Sequence, residues 1–115
     1  MNKCIWPLGS GQTIEFNIYD PKTTTWNSSA GLYIFAYYNG QHWQALYIGQ
    51  TDDFSVRLPS HERLDEAVRC GATHIHAAVV PLAANRDTLE KRLIAHIQPS
   101  MNDQYKGMRY KQMSV

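Results

Sequence analysis

Residues 31–49, GLYIFAYYNGQHWQALYIG, decide the fold of this chain. Residues 32–38 are a run of β-branched and aromatic residues, and residues 43–48 form a second such run. Asn39-Gly40, which lies between the two runs, is a strong hairpin turn signal. The stretch therefore predicts two adjacent antiparallel strands.

Downstream of this hairpin the pattern predicts helix, strand and helix. The polar residues 50–53 end the sheet and open a helical stretch, in which Pro59 marks the start of a new helix that Gly71 closes. Residues 73–80 alternate again as a strand, and residues 85–98 form a helix stopped by Pro99. The resulting β-β-α-β-α order predicts an α+β fold, with helices covering a mostly antiparallel sheet.

The first thirty residues differ from the rest. Residues 14–19 alternate apolar and polar as a half-buried strand does, residues 20–22 are turn chemistry, and residues 23–26 have strand propensity. We expect a β-hairpin here, as an N-terminal extension (1–30) of a main domain (31–102) that is followed by a basic and aromatic tail (103–115).

Length and composition favour one globular domain, because 115 residues contain 43% hydrophobic and 18% charged residues. The net charge is only +1, which argues mildly against a nucleic-acid partner. The tail, however, carries Lys106, Arg109 and Lys111 with tyrosines between them. It is either a strip that contacts nucleic acid or a solvated basic tail.

The cysteines bear on the cellular compartment of the protein, and the apolar runs bear on secretion and membrane association. Cys4 and Cys70 form neither a disulfide framework nor a CxxC metal pattern. The start of the chain has no apolar run long enough for a signal peptide, and no stretch approaches the roughly 20 apolar residues of a membrane span. We expect a cytoplasmic protein without a membrane partner.

The last predicted helix places an acid on its apolar side. Its apolar residues occupy an arc about 140° wide, and Glu90 points into the middle of that arc. A carboxylate in such a place is paired, protonated or bound to a metal, because an unpaired buried charge is costly. The alternative is a Glu at the rim of the arc that reaches water or pairs with Arg57.

Other chemistry-bearing residues are ambiguous when each is taken alone. Arg57 and His61 are four residues apart and would share a helical face, but such a pair is more often surface decoration. Two imidazoles, His74 and His76, share a face of a strand, yet no third ligand is evident, so exposed strand histidines are the better interpretation. Trp43, with His42 beside it, could touch a base or simply end the turn.

Taken together, these residues resemble the GIY-YIG nuclease family. Gly31-Leu32-Tyr33 is similar to the GIY element, and Tyr47-Ile48-Gly49 is the YIG element. Residues 31–102 match six elements of the family in the right order. Besides these two motifs, they are Arg57, the R-x-x-x-H histidine His61, the metal-binding Glu90, and the closing P-x-x-N that ends at Asn102.

The resemblance has one departure with a geometric consequence. The interval between Tyr33 and Tyr47 is longer than is usual in the family. With a two-residue turn at Asn39-Gly40, Tyr33 would oppose Leu46, and Tyr47 would lie on the other face of the sheet. Both tyrosines reach the active site in the family, so we expect an odd-length loop or a β-bulge here.

The resemblance implies a role for each residue of the site. Glu90 would bind one Mg²⁺ or Mn²⁺, and Arg57 would stabilise charge on the phosphate in the transition state. Tyr33 would be the general base, with Tyr47 positioning the water or phosphate and His61 orienting Tyr33 or relaying its proton. By the same resemblance, three further residues are structural: Gly31, Gly49 and Asn102.

The function that this implies is a metal-dependent endonuclease acting on nucleic acid, DNA more than RNA. Two alternatives stay open: a non-catalytic binding or accessory module with the same fold, and an RNase or toxin-like nuclease with the same site. Substrate specificity would come from the extension, the tail, a homodimer or a separate protein.

Overall fold

The predicted hairpin lies at one edge of a five-stranded sheet. The computed structural model describes residues 2–102. Its elements, in chain order, are β1 (Lys3–Gly9), β2 (Gln12–Tyr19), β3 (Gly31–Tyr38), β4 (Trp43–Thr51), α1 (Phe54–Arg57), a 3₁₀ turn (Leu58–Ser60), α2 (Leu64–Arg69), β5 (His74–Val79) and α3 (Ala83–Ile97). The strands lie in the order β1-β2-β5-β3-β4, and every neighbouring pair is antiparallel. The predicted α+β class with a mostly antiparallel sheet is confirmed.

An N-terminal hairpin is present, but the strands predicted for it were partly wrong. It consists of β1 and β2, which are joined by a tight turn with positive φ at Ser10 and Gly11. Residues 23–26, predicted as a strand, are irregular. The Asp20 side chain accepts from the Lys22 amide at 2.8 Å and the Asp20 carbonyl accepts from the Thr24 hydroxyl at 2.7 Å, so the chain turns where an extended strand would run on.

The hairpin is integrated into the sheet of residues 31–102. Residues Asn17, Ile18 and Tyr19 of β2 pair with Ala77, His76 and Ile75 of β5. β3 then pairs with β5 on its other side. The order of the strands therefore places β3 and β4 at the end of the sheet farthest from β1.

A β-bulge sets the register of β3 and β4, as predicted. Tyr33 opposes Gly49 and Phe35 opposes Tyr47, but Ala36 opposes Ala45, which leaves Leu46 as the extra residue. The bulge puts Tyr47 on the same face of the sheet as Tyr33. Without it, Tyr47 would oppose Ile34 and point into the other layer.

The two faces of the sheet carry two separate cores. One face packs against α3 through Leu93 and Ile94, and it includes Phe16, Leu32 and Ile48. The other face packs against α1, the 3₁₀ turn and α2. Tyr33 and Phe35 of the sheet form this second core together with Phe54, Leu58 and Ala67 of the helical segments. The tyrosines of the predicted site therefore lie on the face that the short helices cover.

The helices differ from prediction at their ends. The second one begins at Leu64, not at Pro59, because Pro59 lies in a 3₁₀ turn that His61 ends in an extended conformation. α3 begins at Ala83 and ends at Ile97, where Gln98 adopts a left-handed conformation with φ of 57°. Within residues 2–102, no helix is long and apolar enough to cross a membrane.

Candidate active site

The hydroxyl of Tyr33 is the centre of the site. Tyr33 is only 2% exposed, and its ring packs beside those of Phe35 and Tyr47, with centroids 5.4 and 6.4 Å away. Gly49 opposes Tyr33 across the strand pair, and a Cβ on Gly49 would stand 2.5 Å from the Tyr33 hydroxyl. Glycine at this position therefore makes the space that the tyrosine fills.

His61 contacts that hydroxyl directly. Its Nε2 lies 2.8 Å from the Tyr33 oxygen, and its Nδ1 accepts from the backbone N–H of Arg63 at 3.0 Å. Burial, helped by the nearby Arg57 charge, lowers the pKa of His61 to about 4, so the imidazole is neutral at pH 7. Because Nδ1 accepts, the single proton of the neutral ring is on Nε2, and His61 donates to the Tyr33 oxygen.

The surroundings of Tyr33 act on its ionisation in opposite directions. Burial raises the pKa of Tyr33 well above its usual value, and the neighbouring Tyr47 raises it further. The nearby Arg57 guanidinium lowers the pKa of Tyr33. Arg57 and His61 thus favour the phenolate, while the dry environment opposes it.

Arg57, at the end of α1, has a partner that the sequence did not suggest. Its Nη1 and Nη2 donate to the two carboxylate oxygens of Glu62, at 2.7 and 3.0 Å. This pair raises the pKa of Arg57 and lowers that of Glu62 to about 2. The five-residue separation gives no helical signal, because a 3₁₀ turn and a further turn intervene between the two residues.

Tyr47 also has an unpredicted arginine beside it. The guanidinium of Arg63 lies 5.5 Å from the centre of the Tyr47 ring, within the range of a cation–π contact. Arg63 donates to the carbonyl of Met101 at 2.9 Å and pairs with Glu66 at 3.0 Å. It therefore joins α2, Tyr47 and the segment after α3.

Glu90 projects from α3 and is half-buried. Its Oε1 accepts from the Gln50 amide at 2.9 Å, and burial raises the pKa of its carboxyl. The charge of Glu90 in turn raises the pKa values of Tyr33 and Tyr47, so the carboxylate lies within electrostatic range of both. The alternative pairing with Arg57 is not seen, because Arg57 pairs with Glu62.

The environment of Glu90 fits a hard divalent cation. Within residues 2–102 no Lys or Arg forms an ion pair with Glu90, so this half-buried carboxylate has no direct ionic partner there. The same residues contain no group of three His, Cys, Asp or Glu that could hold a metal. An ion bound here would depend on one protein carboxylate and would complete its shell with water and phosphate oxygen, as Mg²⁺ commonly does.

Asn102 joins β4, the strand with the second motif, to the segment after α3. It is 4% exposed, and its side-chain oxygen accepts from the Ile48 N–H at 2.9 Å while its amide donates to the Ile48 carbonyl at 2.8 Å. The N–H of Met101 donates to the Leu46 carbonyl at 2.8 Å. Gly31, the other predicted structural residue, packs so closely on the Ala78 backbone that no side chain would fit.

The expectation for His76 was wrong, and the predicted basic contacts of the tail are not described by the structure. His76, expected as an exposed strand residue, is fully buried because Trp6 and Trp43 pack against its ring, and its Nδ1 accepts from the Trp6 indole at 2.9 Å. The predicted nucleic-acid contacts Lys106, Arg109 and Lys111 lie outside the described residues.

Comparison with solved structures relates the fold of this chain to known domains. The chain is similar to the GIY-YIG N-terminal endonuclease domain of UvrC from Thermotoga maritima bound to magnesium, its catalytic divalent cation. Sequence identity is 27%, the TM-score is 0.55, and the match covers 67% of this chain and 86% of that chain. Two tyrosine-to-phenylalanine mutants of that domain, also bound to the cation, match with identities of 27% and 26% and the same TM-score. No family model and no curated protein matches the chain.

Proposed function

Because this chain has the fold of the GIY-YIG endonuclease domains, we propose that it is a metal-dependent nuclease. It hydrolyses phosphodiester bonds of nucleic acid, DNA more than RNA, with one Mg²⁺ or Mn²⁺ per active site. The observation that carries the proposal is the Tyr33 hydroxyl, held by His61 close to the Arg57 guanidinium and in the field of the half-buried Glu90.

Glu90 holds the cation in this proposal. Bound there, the ion supplies positive charge that polarises the phosphate and supports the leaving oxygen. Gln50 fixes the orientation of the carboxylate by its hydrogen bond to Oε1. Because burial raises the pKa of Glu90, protons compete with the metal for this carboxylate at acidic pH, and metal binding strengthens as the pH rises.

Tyr33 is the general base. The Tyr33 hydroxyl first loses its own proton to solvent, and the resulting phenolate accepts the proton of the attacking water; the His61 Nε2–H and the nearby Arg57 guanidinium stabilise that phenolate. His61 is a positioning residue here, because a nitrogen that donates to Tyr33 cannot at the same time take its proton. Tyr47, half-buried beside Tyr33, orients the water or phosphate by hydrogen bonding.

Arg57 binds the phosphate. Its planar guanidinium presents parallel N–H groups that match two oxygens of one phosphate, and it lies close enough to Tyr33 to lower the pKa of the hydroxyl. The same fork stabilises the charge that develops on the phosphate in the transition state.

The first experiment compares two variants of α3. Wild type, Glu90→Gln and Asp87→Asn are incubated with supercoiled plasmid, single-stranded DNA and structured RNA, in Mg²⁺, Mn²⁺ or EDTA. Asp87 is the matched control, since it is a carboxylate on the same helix that pairs with Lys91 at 3.0 Å on the surface. We expect Glu90→Gln to lower metal-dependent cleavage by about a hundredfold or more, and Asp87→Asn to leave it within a few fold.

The outcomes separate the functions that share this fold. Cleavage that persists in EDTA, or equal in Glu90→Gln and wild type, would contradict the proposal. Preference for RNA would favour the RNase or toxin-like alternative. Binding without cleavage of any substrate would favour a non-catalytic accessory module, a second candidate that the low net charge of +1 and the 2% exposure of Tyr33 support.

A further inference from the structure

The phosphate-binding face of Arg57 is engaged by an acid of the same chain. The Glu62 carboxylate receives Nη1 and Nη2 at 2.7 and 3.0 Å, one donor for each oxygen. A phosphate would approach the same guanidinium with the same two-oxygen geometry. Carboxylate and phosphate therefore compete for one set of donors.

We propose that Glu62 is a positioning residue that occupies the phosphate place on Arg57 until substrate displaces it. The inference rests on the proposed function, and it deepens that function by naming what the substrate must exchange with. Glu62 holds the guanidinium in the orientation that a phosphate needs, and it raises the phosphate concentration required to bind. A polyanion with several phosphates exchanges with it more readily than a single stray anion.

Glu62 lies where an ion-pair partner of Arg57 can be displaced, and not where a residue holds the fold together. Its side chain is 67% exposed, and the residue lies in the turn between the 3₁₀ segment and α2. Arg57 is 36% exposed, so solvent and ligand reach the pair. An ion pair at such exposure contributes little to folding, and its loss to a competing anion costs the fold little.

Glu62 also differs from the other acids in its vicinity. Glu66 pairs with Arg63 and not with Arg57. Asp65, three residues after Glu62, is exposed and forms no ion pair within residues 2–102. Asp65→Asn therefore makes the same change of net charge close to the site without touching the Arg57 fork, and it serves as the matched control.

The test titrates wild type, Glu62→Gln and Asp65→Asn with inorganic phosphate in EDTA, following the backbone amide ¹⁵N resonances of residues 57 and 63, which every variant retains. We expect Glu62→Gln to lower the phosphate Kd about two- to fivefold, and Asp65→Asn to change it by much less. Arg57→Lys, which removes the fork but keeps the charge, should bind phosphate equally with and without Glu62→Gln. On nucleic acid, Glu62→Gln should lower KM without raising kcat.

Each other result overturns the inference. Equal gains in Glu62→Gln and Asp65→Asn would show a general charge effect. Unchanged phosphate affinity with a lower Tm in Glu62→Gln would show a staple between α1 and the following turn. The phosphate titration does not depend on catalysis. If the protein cleaves no substrate but Glu62→Gln binds phosphate more tightly than wild type, the proposed nuclease function fails and the inference about Glu62 stands.

Discussion

A single nitrogen of His61 distinguishes two mechanisms. In the structure Nδ1 accepts from the Arg63 N–H and Nε2 donates to Tyr33, so in the mechanism we propose His61 supports the phenolate and does not relay its proton. Side-chain amides can test this assignment, because Gln places its NH₂ near the position of Nε2, whereas Asn places its polar atoms near Nδ1.

We therefore predict that His61→Gln keeps more activity than His61→Asn. The Gln variant should retain a donor to Tyr33 and lose about tenfold in kcat, and the Asn variant should lose about a hundredfold or more. Single-turnover rates in saturating Mg²⁺ measure the difference, with circular dichroism as the check on folding. Equal losses in both variants would point back to proton relay.

Not every residue of the site could be predicted from the sequence. Tyr33, Tyr47, Arg57, His61 and Glu90 were named from motif spacing, and the structure brings the first four into one cluster with Glu90 in electrostatic range. Glu62 and Arg63 were missed, because their contacts depend on the turn after Pro59, and helical spacing does not describe that turn.

Strand β4 is positioned by a side chain from outside the sheet. Asn102 satisfies both backbone groups of Ile48, so the second motif strand is fixed relative to the end of α3, the helix that carries Glu90. Losing this clamp should affect the fold and the distance between Glu90 and the tyrosines together.

We predict that Asn102→Ala costs about 2–4 kcal/mol of unfolding free energy, because two buried backbone groups lose their partners. Asn102→Asp keeps the acceptor but sets a carboxylate oxygen against the Ile48 carbonyl. Its deficit relative to wild type should be larger at pH 7.5 than at pH 5, where a protonated carboxyl can donate. Urea unfolding at both pH values measures this, and a deficit independent of pH would contradict the assigned hydrogen bonds.

Among the elements, β3, β4 and α3 were predictable because their patterns extend over many residues. β1 was missed because Pro7 interrupts its pattern, and an edge strand tolerates a proline that a central strand would not. Residues 23–26 were predicted as a strand from threonine propensity alone. Propensity gave way to the hydrogen bonds of the Asp20 turn, which a local pattern does not reveal.

At the level of the whole molecule, the site forms around an edge of the sheet. Tyr33 and Tyr47 belong to the face that α1 and α2 cover, while Gln50, the partner of Glu90, opposes Leu32, which belongs to the α3 face. Because β4 is an edge strand, side chains from both layers can meet beside it. This convergence depends on topology and could not be derived from any one element.

The two buried histidines make the folded state sensitive to acid. Burial lowers the pKa values of His61 and His76 to about 4 in the folded protein, against 6.5 when unfolded. The unfolded state therefore binds more protons between these values, and stability present above pH 6.5 is lost as the pH falls toward 4. We expect a loss of about 1–3 kcal/mol per imidazole.

Thermal unfolding between pH 7.5 and 4 measures that loss. His61→Gln should flatten the dependence, and His42→Gln, which changes an exposed histidine of the β3–β4 turn, should not. A Tm that stays constant down to pH 4.5 would show that the imidazoles titrate normally in the folded protein.

The clamp at Asn102 also bears on how copies of this protein behave toward one another. An unpaired strand edge is a template on which another chain can add a strand and begin aggregation. Met101 and Asn102 already occupy the outward-facing groups of Leu46 and Ile48, so the catalytic edge does not offer that template along this stretch. The opposite edge, β1, has Pro7, which lacks an N–H to donate. Strand addition should therefore be discouraged at both ends of the sheet, and copies of the protein should not cover the candidate site by pairing edge to edge.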